Sequence, residues 1–173
     1  MKDDAFSVNE QELMDYYKLS GKSGKMKLRM KFMKSWILHS LAYNSPLSDF
    51  SISMQRKRGV KIGKNCHFSS YVLIDLLYPH LVNIEDNVTI SHNAMIFAHI
   101  NPTANLLLKN TAYPRKVENV TIKQGAVISP GAIITAGVTI GQNSIISVGS
   151  VVSEDIPDNC VVVGNPGRVV KKI

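Results

Sequence analysis

Between Ile122 and Val152 the large aliphatic residues Ile122, Ile128, Ile134, Ile140, Ile146 and Val152 recur at every sixth position. Ala126, Ala132, Val138, Ser144 and Ser150 follow the first five of them by four. A helical face returns every three or four residues and a strand face every two, so neither element produces a period of six with one large and one small inward position per unit. A short strand followed by a turn does. Three such units close a coil of about eighteen residues, and stacked coils make a parallel β-helix. The spacing predicts that Ile122 stacks with Ile140, Ile128 with Ile146 and Ile134 with Val152. Each coil buries its apolar residues only against its neighbours, so stability accumulates along the stack.

The beat begins at Ile62-Gly63, continues through Phe68 and Ile74, and resumes at Ile84, Ile90 and Ile96. The step from Ile74 to Ile84 is ten, so four residues are inserted within 75–83, around Leu76-Leu77-Tyr78-Pro79-His80. One coil plus this insertion separates Ile74 from Ile96, which predicts that the two stack and that Asp75 lies one coil from Phe97, close to His99. A second interruption runs from Phe97 to about Asn119 and contains Asn101-Pro102 and Tyr113-Pro114. Loops of this length within a compact domain are functional or disordered, and this one starts with a histidine. His99 is therefore the first candidate for chemistry.

The chain reads as a basic helical appendage, residues 1–58, followed by the repeat domain, 59–173. Residues 1–61 carry twelve Lys and Arg against six acids, whereas 62–173 carry eight against seven. Ser7-Val8-Asn9-Glu10 has the form of a capping box opening a helix through Leu13, Met14 and Tyr17, which Gly21 and Gly24 break. A second helix is expected from about Lys25 to Tyr43, because Met26, Met30, Met33, Ile37 and Leu41 recur at helical spacing and Pro46 closes the segment. Its other face carries Lys25, Lys27, Arg29, Lys31 and Lys34. Two readings stand for this stretch: an appendage packed on the coils with solvated lysines, or a basic amphipathic segment (22–34) lying on an anionic membrane surface at the periphery. Nucleic acid is the weaker partner, since no groove-reading motif accompanies the charge. Cys66 and Cys160 suggest no disulfide framework, no apolar run approaches the ~20 residues of a membrane span, and MKDDAFSVNEQE lacks a signal-peptide core, so the cytoplasm is the expected compartment.

The sequence resembles the hexapeptide-repeat acyltransferases, the left-handed β-helix family, and most closely its maltose, galactoside and polysaccharide O-acetyltransferase branch. The resemblance covers roughly 58–173. It rests on the repeats, on Val60-Lys61-Ile62-Gly63-Lys64-Asn65, on Ile84-Glu85-Asp86-Asn87-Val88 before the histidine loop, and on Asp155-Ile156-Pro157-Asp158-Asn159 with Gly164-Asn165-Pro166-Gly167-Arg168-Val169-Val170-Lys171. It implies a mainly β protein, a left-handed parallel β-helix with a short N-terminal helical segment and an extended loop near 97–119. It also implies a homotrimer with active sites at the subunit boundaries, acetyl-CoA as co-substrate, and a sugar or polysaccharide-precursor acceptor meeting a histidine of the neighbouring chain.

A sugar hydroxyl is a poor nucleophile near neutral pH and a thioester carbonyl is already activated, so the main need is a base for the hydroxyl proton. An imidazole suits that work, which is worth about 10²- to 10⁴-fold, and His99 is the candidate. His92, on a regular turn, is a candidate acceptor contact. Asp75 matches an acidic position of the family near the sugar pocket, where it binds acceptor hydroxyls or orients His99; a turn-capping role is the structural alternative. Family matching makes Arg168 and Lys171 candidates for the CoA phosphates and Val148 and Ser153 for its pantetheine arm. Glu154 stands where relatives often have lysine. Pro130 stands where relatives often have serine and has no N–H, so the Gly131 amide is the nearest candidate for the oxyanion. No metal is expected, because His92 and His99 are seven apart and the later coils carry no histidine. The alternatives are N-acetylation of an amino-sugar nucleotide, serine or antibiotic acetylation, and a non-catalytic β-helix scaffold.

Overall fold

The computed structural model describes residues 4–173. Three parallel sheets form the walls of the stack. The first contains Lys61–Ile62, Val82–Ile84, Val120–Ile122 and Thr139–Ile140; the second His67–Phe68, Thr89–Ile90, Val127–Ile128, Ile145–Ile146 and Cys160–Val163; the third Leu73–Ile74, Met95–Ile96, Ile133–Ile134 and Val151–Val152. The chain visits the sheets in turn, so every neighbour in a sheet comes from the next coil. The register follows the beat: Ile122 pairs with Ile140, Ile128 with Ile146, Ile134 with Val152, and, across the four-residue insertion, Ile74 with Ile96.

One isoleucine column per sheet fills the interior, where Ile74, Ile90, Ile96, Ile122, Ile128, Ile134, Ile140 and Ile146 are fully buried. The small position behind each column admits the turn that follows. Ala94, Ala126 and Ala132 fill it in the middle coils, and Ser144 and Ser150 in the last. The serines have a reason to be there, because the stack ends beyond them. The Ser144 hydroxyl donates to the Pro157 carbonyl (2.7 Å) and accepts from the Cys160 N–H (3.0 Å), and Ser150 Oγ accepts from the Gly164 N–H (3.1 Å). Arg168–Lys172 then folds back antiparallel on Cys160–Val163.

The opposite end of the stack is closed by helices. Helix α1 is Ala5–Tyr16, α2 is Gly21–Asn44 and α3 is Ser48–Arg58. The first turn of α1 lies earlier than the Ser7 box predicts, because Asp4 is the N-cap and its carboxylate accepts from the Phe6 N–H. Gly21 opens α2 and Gly24 is buried inside it, so only Gly21 marks a boundary. Helix α3 escapes the periodicity argument, since Phe50, Ile52 and Met54 alternate like a strand. Its role is to satisfy the exposed edge of the first coil. Ser48 Oγ accepts from the Phe68 N–H (2.9 Å), Arg56 donates to the Ile62 and Gly63 carbonyls, and the end of α2 adds the Tyr43 carbonyl, which accepts from the Tyr71 N–H (2.7 Å).

The larger difference concerns α2. Its buried residues are Gly24, Leu28, Ser35, His39 and Ala42. Of the two readings of this stretch, an appendage packed through its apolar stripe does not fit: Met26, Met30, Met33, Ile37 and Leu41 face outward, and the three methionines are 57–60% exposed. The helix meets the rest of the chain through its small and polar face, where Ser35 Oγ donates to the Leu76 carbonyl and accepts from Arg58 Nε.

The second interruption is structured. His99–Ile100 pairs antiparallel with Lys116–Val117, and a short helix α4, Leu106–Asn110, sits between them. Helix α1 straps this loop down. Buried Lys109 reaches Glu12 (2.6 Å) and Asn9 (2.7 Å), while Asn9 also accepts from Asn101 (2.9 Å) and donates to the Thr103 carbonyl (2.7 Å).

Candidate active site

Four stacked residues form one corner of the coils, Asp75, Phe97, Thr135 and Ser153, and the first three each donate their N–H to the coil beyond. Asp75 closes the strand before the first insertion, and His99 leaves the next coil up at the same corner. Their side chains meet, with His99 Nδ1 2.6 Å from Asp75 Oδ2. The carboxylate is fully enclosed. Oδ1 accepts from the Leu77 and Tyr78 N–H groups, both at 2.9 Å, and Oδ2 accepts from the Ala98 N–H at 2.8 Å as well as from the imidazole. Burial pushes the carboxyl up, but the hydrogen bond and charge of His99 with the backbone donors outweigh it and hold Asp75 below its ordinary value.

An ionised carboxylate only accepts, so the Nδ1 of His99 carries a proton, and in the neutral imidazole the lone pair lies on Nε2. The His99 side chain remains 23% exposed. The reading of Asp75 as an acceptor contact does not fit this placement, since four donors occupy it and no part of its side chain reaches the surface. It caps the insertion and orients the histidine.

Residues without a motif complete the surroundings. Buried Tyr78 lies edge-on to the His99 ring at 5.2 Å, and Arg115 donates to its hydroxyl. Arg115 also stands over the Tyr78 and Tyr16 rings and 3.8 Å from Glu12, which ties the returning arm of the loop to α1. Behind Asp75, Arg58 of α3 donates to the Asp75 carbonyl (2.6 Å) and the Ile74 carbonyl (3.2 Å). Burial lowers this guanidinium to about 10, against the opposing charge of Asp75. Tyr78 was visible as an aromatic within the insertion beside an acid; Arg58 and Arg115 had no sequence signal, because their partners are carbonyls, rings and a hydroxyl far away in the chain.

The remaining candidates lie elsewhere. His92 is exposed on the turn before Met95–Ile96, at a different corner from His99. That corner column also carries Pro130, Gly131, Val148 and Gly149. Its amides stack coil on coil: Gly131 N–H donates to the His92 carbonyl and Gly149 N–H to the Pro130 carbonyl, both at 3.0 Å. The Gly131 amide is therefore occupied, and its expected part as oxyanion donor is withdrawn. Val148 is 71% exposed at the turn tip. Ser153 is exposed on the His99 corner, two coils away. Arg168 and Lys171 are exposed on the terminal strand, with Arg168 Nη1 3.7 Å from Glu154. Among the described residues no group of three or more His, Cys, Asp or Glu is placed to hold a metal ion.

No protein-family profile matches the chain. Protein CapG of Staphylococcus aureus is 37% identical over 122 residues, which span 68% of this chain and 69% of that protein. The chain belongs to the hexapeptide-repeat acyltransferases. Among solved structures of this family, the maltose O-acetyltransferase of Clostridium difficile 630 superposes with a TM-score of 0.66 at 28% identity, covering 84% of this chain and 88% of that one. A galactoside acetyltransferase in complex with coenzyme A gives 0.61 at 26% identity, covering 84% and 82%. The protein is thus an acyltransferase.

Proposed function

We propose that this acyltransferase moves an acetyl group from acetyl-CoA directly to a hydroxyl of a sugar or polysaccharide precursor, with His99 as general base. The observation that carries the reading is the Asp75–His99 pair, because it engages Nδ1 of a partly exposed imidazole, leaves Nε2 for the acceptor, and puts a buried carboxylate behind it. His99 Nε2 takes the hydroxyl proton as the oxygen attacks the thioester carbonyl carbon. The tetrahedral intermediate collapses, the C–S bond breaks, and the imidazolium returns the proton to the CoA thiolate. Asp75 stays ionised and stabilises the transient imidazolium. The two structural relatives, a maltose O-acetyltransferase and a galactoside acetyltransferase, support a sugar hydroxyl as acceptor, and coenzyme A in the second supports the donor.

Of the donor-side candidates, Val148 lies at a different corner from His99, Ser153 lies two coils away on the same one, and Arg168 and Lys171 lie on the terminal strand. A site assembled from His99 of one protomer and the donor-binding corner of another would bring them together, which favours a homotrimer of left-handed coils. The oxyanion donor then comes from outside the turn column that holds Gly131.

Melting the protein with acetyl-CoA, with AMP as control, tests the donor. A ligand at about a hundred times its Kd adds about 2.7 kcal/mol. Thiol release with a panel of sugars tests the acceptor, and His99→Ala is the blank. No acetyl-CoA-specific shift at millimolar donor, or thiol release that His99→Ala leaves intact, would overturn the reading.

A further inference from the structure

Helix α2 has an outward face that nothing in the chain covers. At ~100° per residue, Met26, Met30, Met33, Ile37 and Leu41 fall within an arc of ~80°. Trp36 is 60% exposed beside them, and exposed Phe50 joins Trp36, Ile37 and Leu41 around a shallow apolar depression. Lysines border the stripe. Lys27 and Lys34 rim the surface made by Met30, Met33 and Ile37, and Lys22 and Arg29 follow the other edge. Across its 24 residues α2 has six Lys and Arg and no acid. Glu10 takes up Lys25 and Arg29, whereas among the described residues no carboxylate lies within ion-pair distance of Lys22, Lys27 or Lys34.

We infer that α2 docks the enzyme flat on an anionic lipid surface. The apolar stripe enters the interface, Trp36 sits at headgroup depth, and the flanking lysines extend to the phosphates. Charge complementarity favours this occupant over a second copy of the chain. The repeat domain, with eight basic and seven acidic residues, has no acidic excess to receive a basic helix, and two α2 faces would repel. No helix among the described residues is long and apolar enough to cross a membrane, so the contact is peripheral. The inference does not depend on acetyl transfer: a chain that binds vesicles and transfers nothing would leave it standing.

Trp36 is the chain's one tryptophan and reports on the face directly. Full-length protein is mixed with phosphatidylcholine vesicles, with and without phosphatidylglycerol. The expected result is a blue shift of Trp36 emission and co-sedimentation with the anionic vesicles only, both declining as salt rises. Met33→Glu with Ile37→Glu should abolish binding at unchanged melting temperature. Lys27→Gln and Lys34→Gln should weaken it about fivefold each. Absence of a Trp36 shift and of sedimentation on anionic vesicles overturns the inference, as does undiminished binding by the double glutamate variant. A change of molecular mass by light scattering in that variant would assign the face to a second copy instead.

Discussion

The coils and helix α2 both carry apolar residues at regular spacing, and the two sets look in opposite directions. In the coils, each isoleucine of the beat is inside, against the isoleucine of the next coil. In α2 the methionine stripe is outside, and a small and polar face is packed. Periodicity establishes that residues share a face. Whether that face is inside depends on what the rest of the chain brings up to it. A coil contains its own answer, because closing three strands into a triangle creates an interior. A helix docked on a pre-existing stack has no such closure, and α2 uses Ser35 to reach the Leu76 carbonyl of the insertion and His39 and Ala42 to meet Arg58 and Ser51 of α3.

Substitutions in the two regions should separate accordingly. The largest effect belongs to the histidine: His99→Ala lowers kcat/KM for thiol release about 10²- to 10⁴-fold, whereas Met33→Ser on α2 leaves it unchanged with soluble acceptors. Next is packing. Ile134→Ala opens a void inside the stack and costs about 2–5 kcal/mol in denaturant unfolding, while Ile37→Ala stays within about 0.5 kcal/mol. Equal losses at the two positions would mean that α2 has a buried partner in solution.

Asp75→Asn should cost about 1–3 kcal/mol, because an amide cannot accept from all four donors. It should also change the acid limb. The native carboxyl is held below its ordinary value of ~3.9, so it stabilises the protein above that value and the contribution is lost as pH falls through the folded-state pKa. That limb should be shallower in Asp75→Asn.

The smallest effect concerns the packed face of α2. Burial, then the charge of Arg58, lowers His39 to about 4, and Arg58 donates to its Nδ1. As pH falls from ~6.5 the unfolded chain binds a proton that the native histidine refuses. Stability should therefore decline by about 1–2 kcal/mol between pH 6.5 and 4, and His39→Gln should flatten that window.

Much of the site was legible because counting was enough. Placing the four-residue insertion between Ile74 and Ile84 puts Ile74 on Ile96 and so brings Asp75 near His99. The roles of these residues were not legible to the same degree. Whether Asp75 meets a substrate or a histidine depends on where three backbone N–H groups point. Whether the Gly131 amide is free depends on the His92 carbonyl one coil away.

The amino-acid sequence alone determined the coil, its register and the position of the histidine loop, because a strand-and-turn unit of six admits one way to stack inward residues on inward residues. Tertiary structure decided the rest. It turned the α2 stripe outward, made α3 the cap of the first coil, placed Arg58 behind Asp75 and Arg115 over Tyr78, and put Val148 at a different corner from His99 while leaving Ser153 on the same one. Each of these rests on contacts between segments far apart in the chain, where side-chain direction and packing angle, neither of which a period records, set which groups meet.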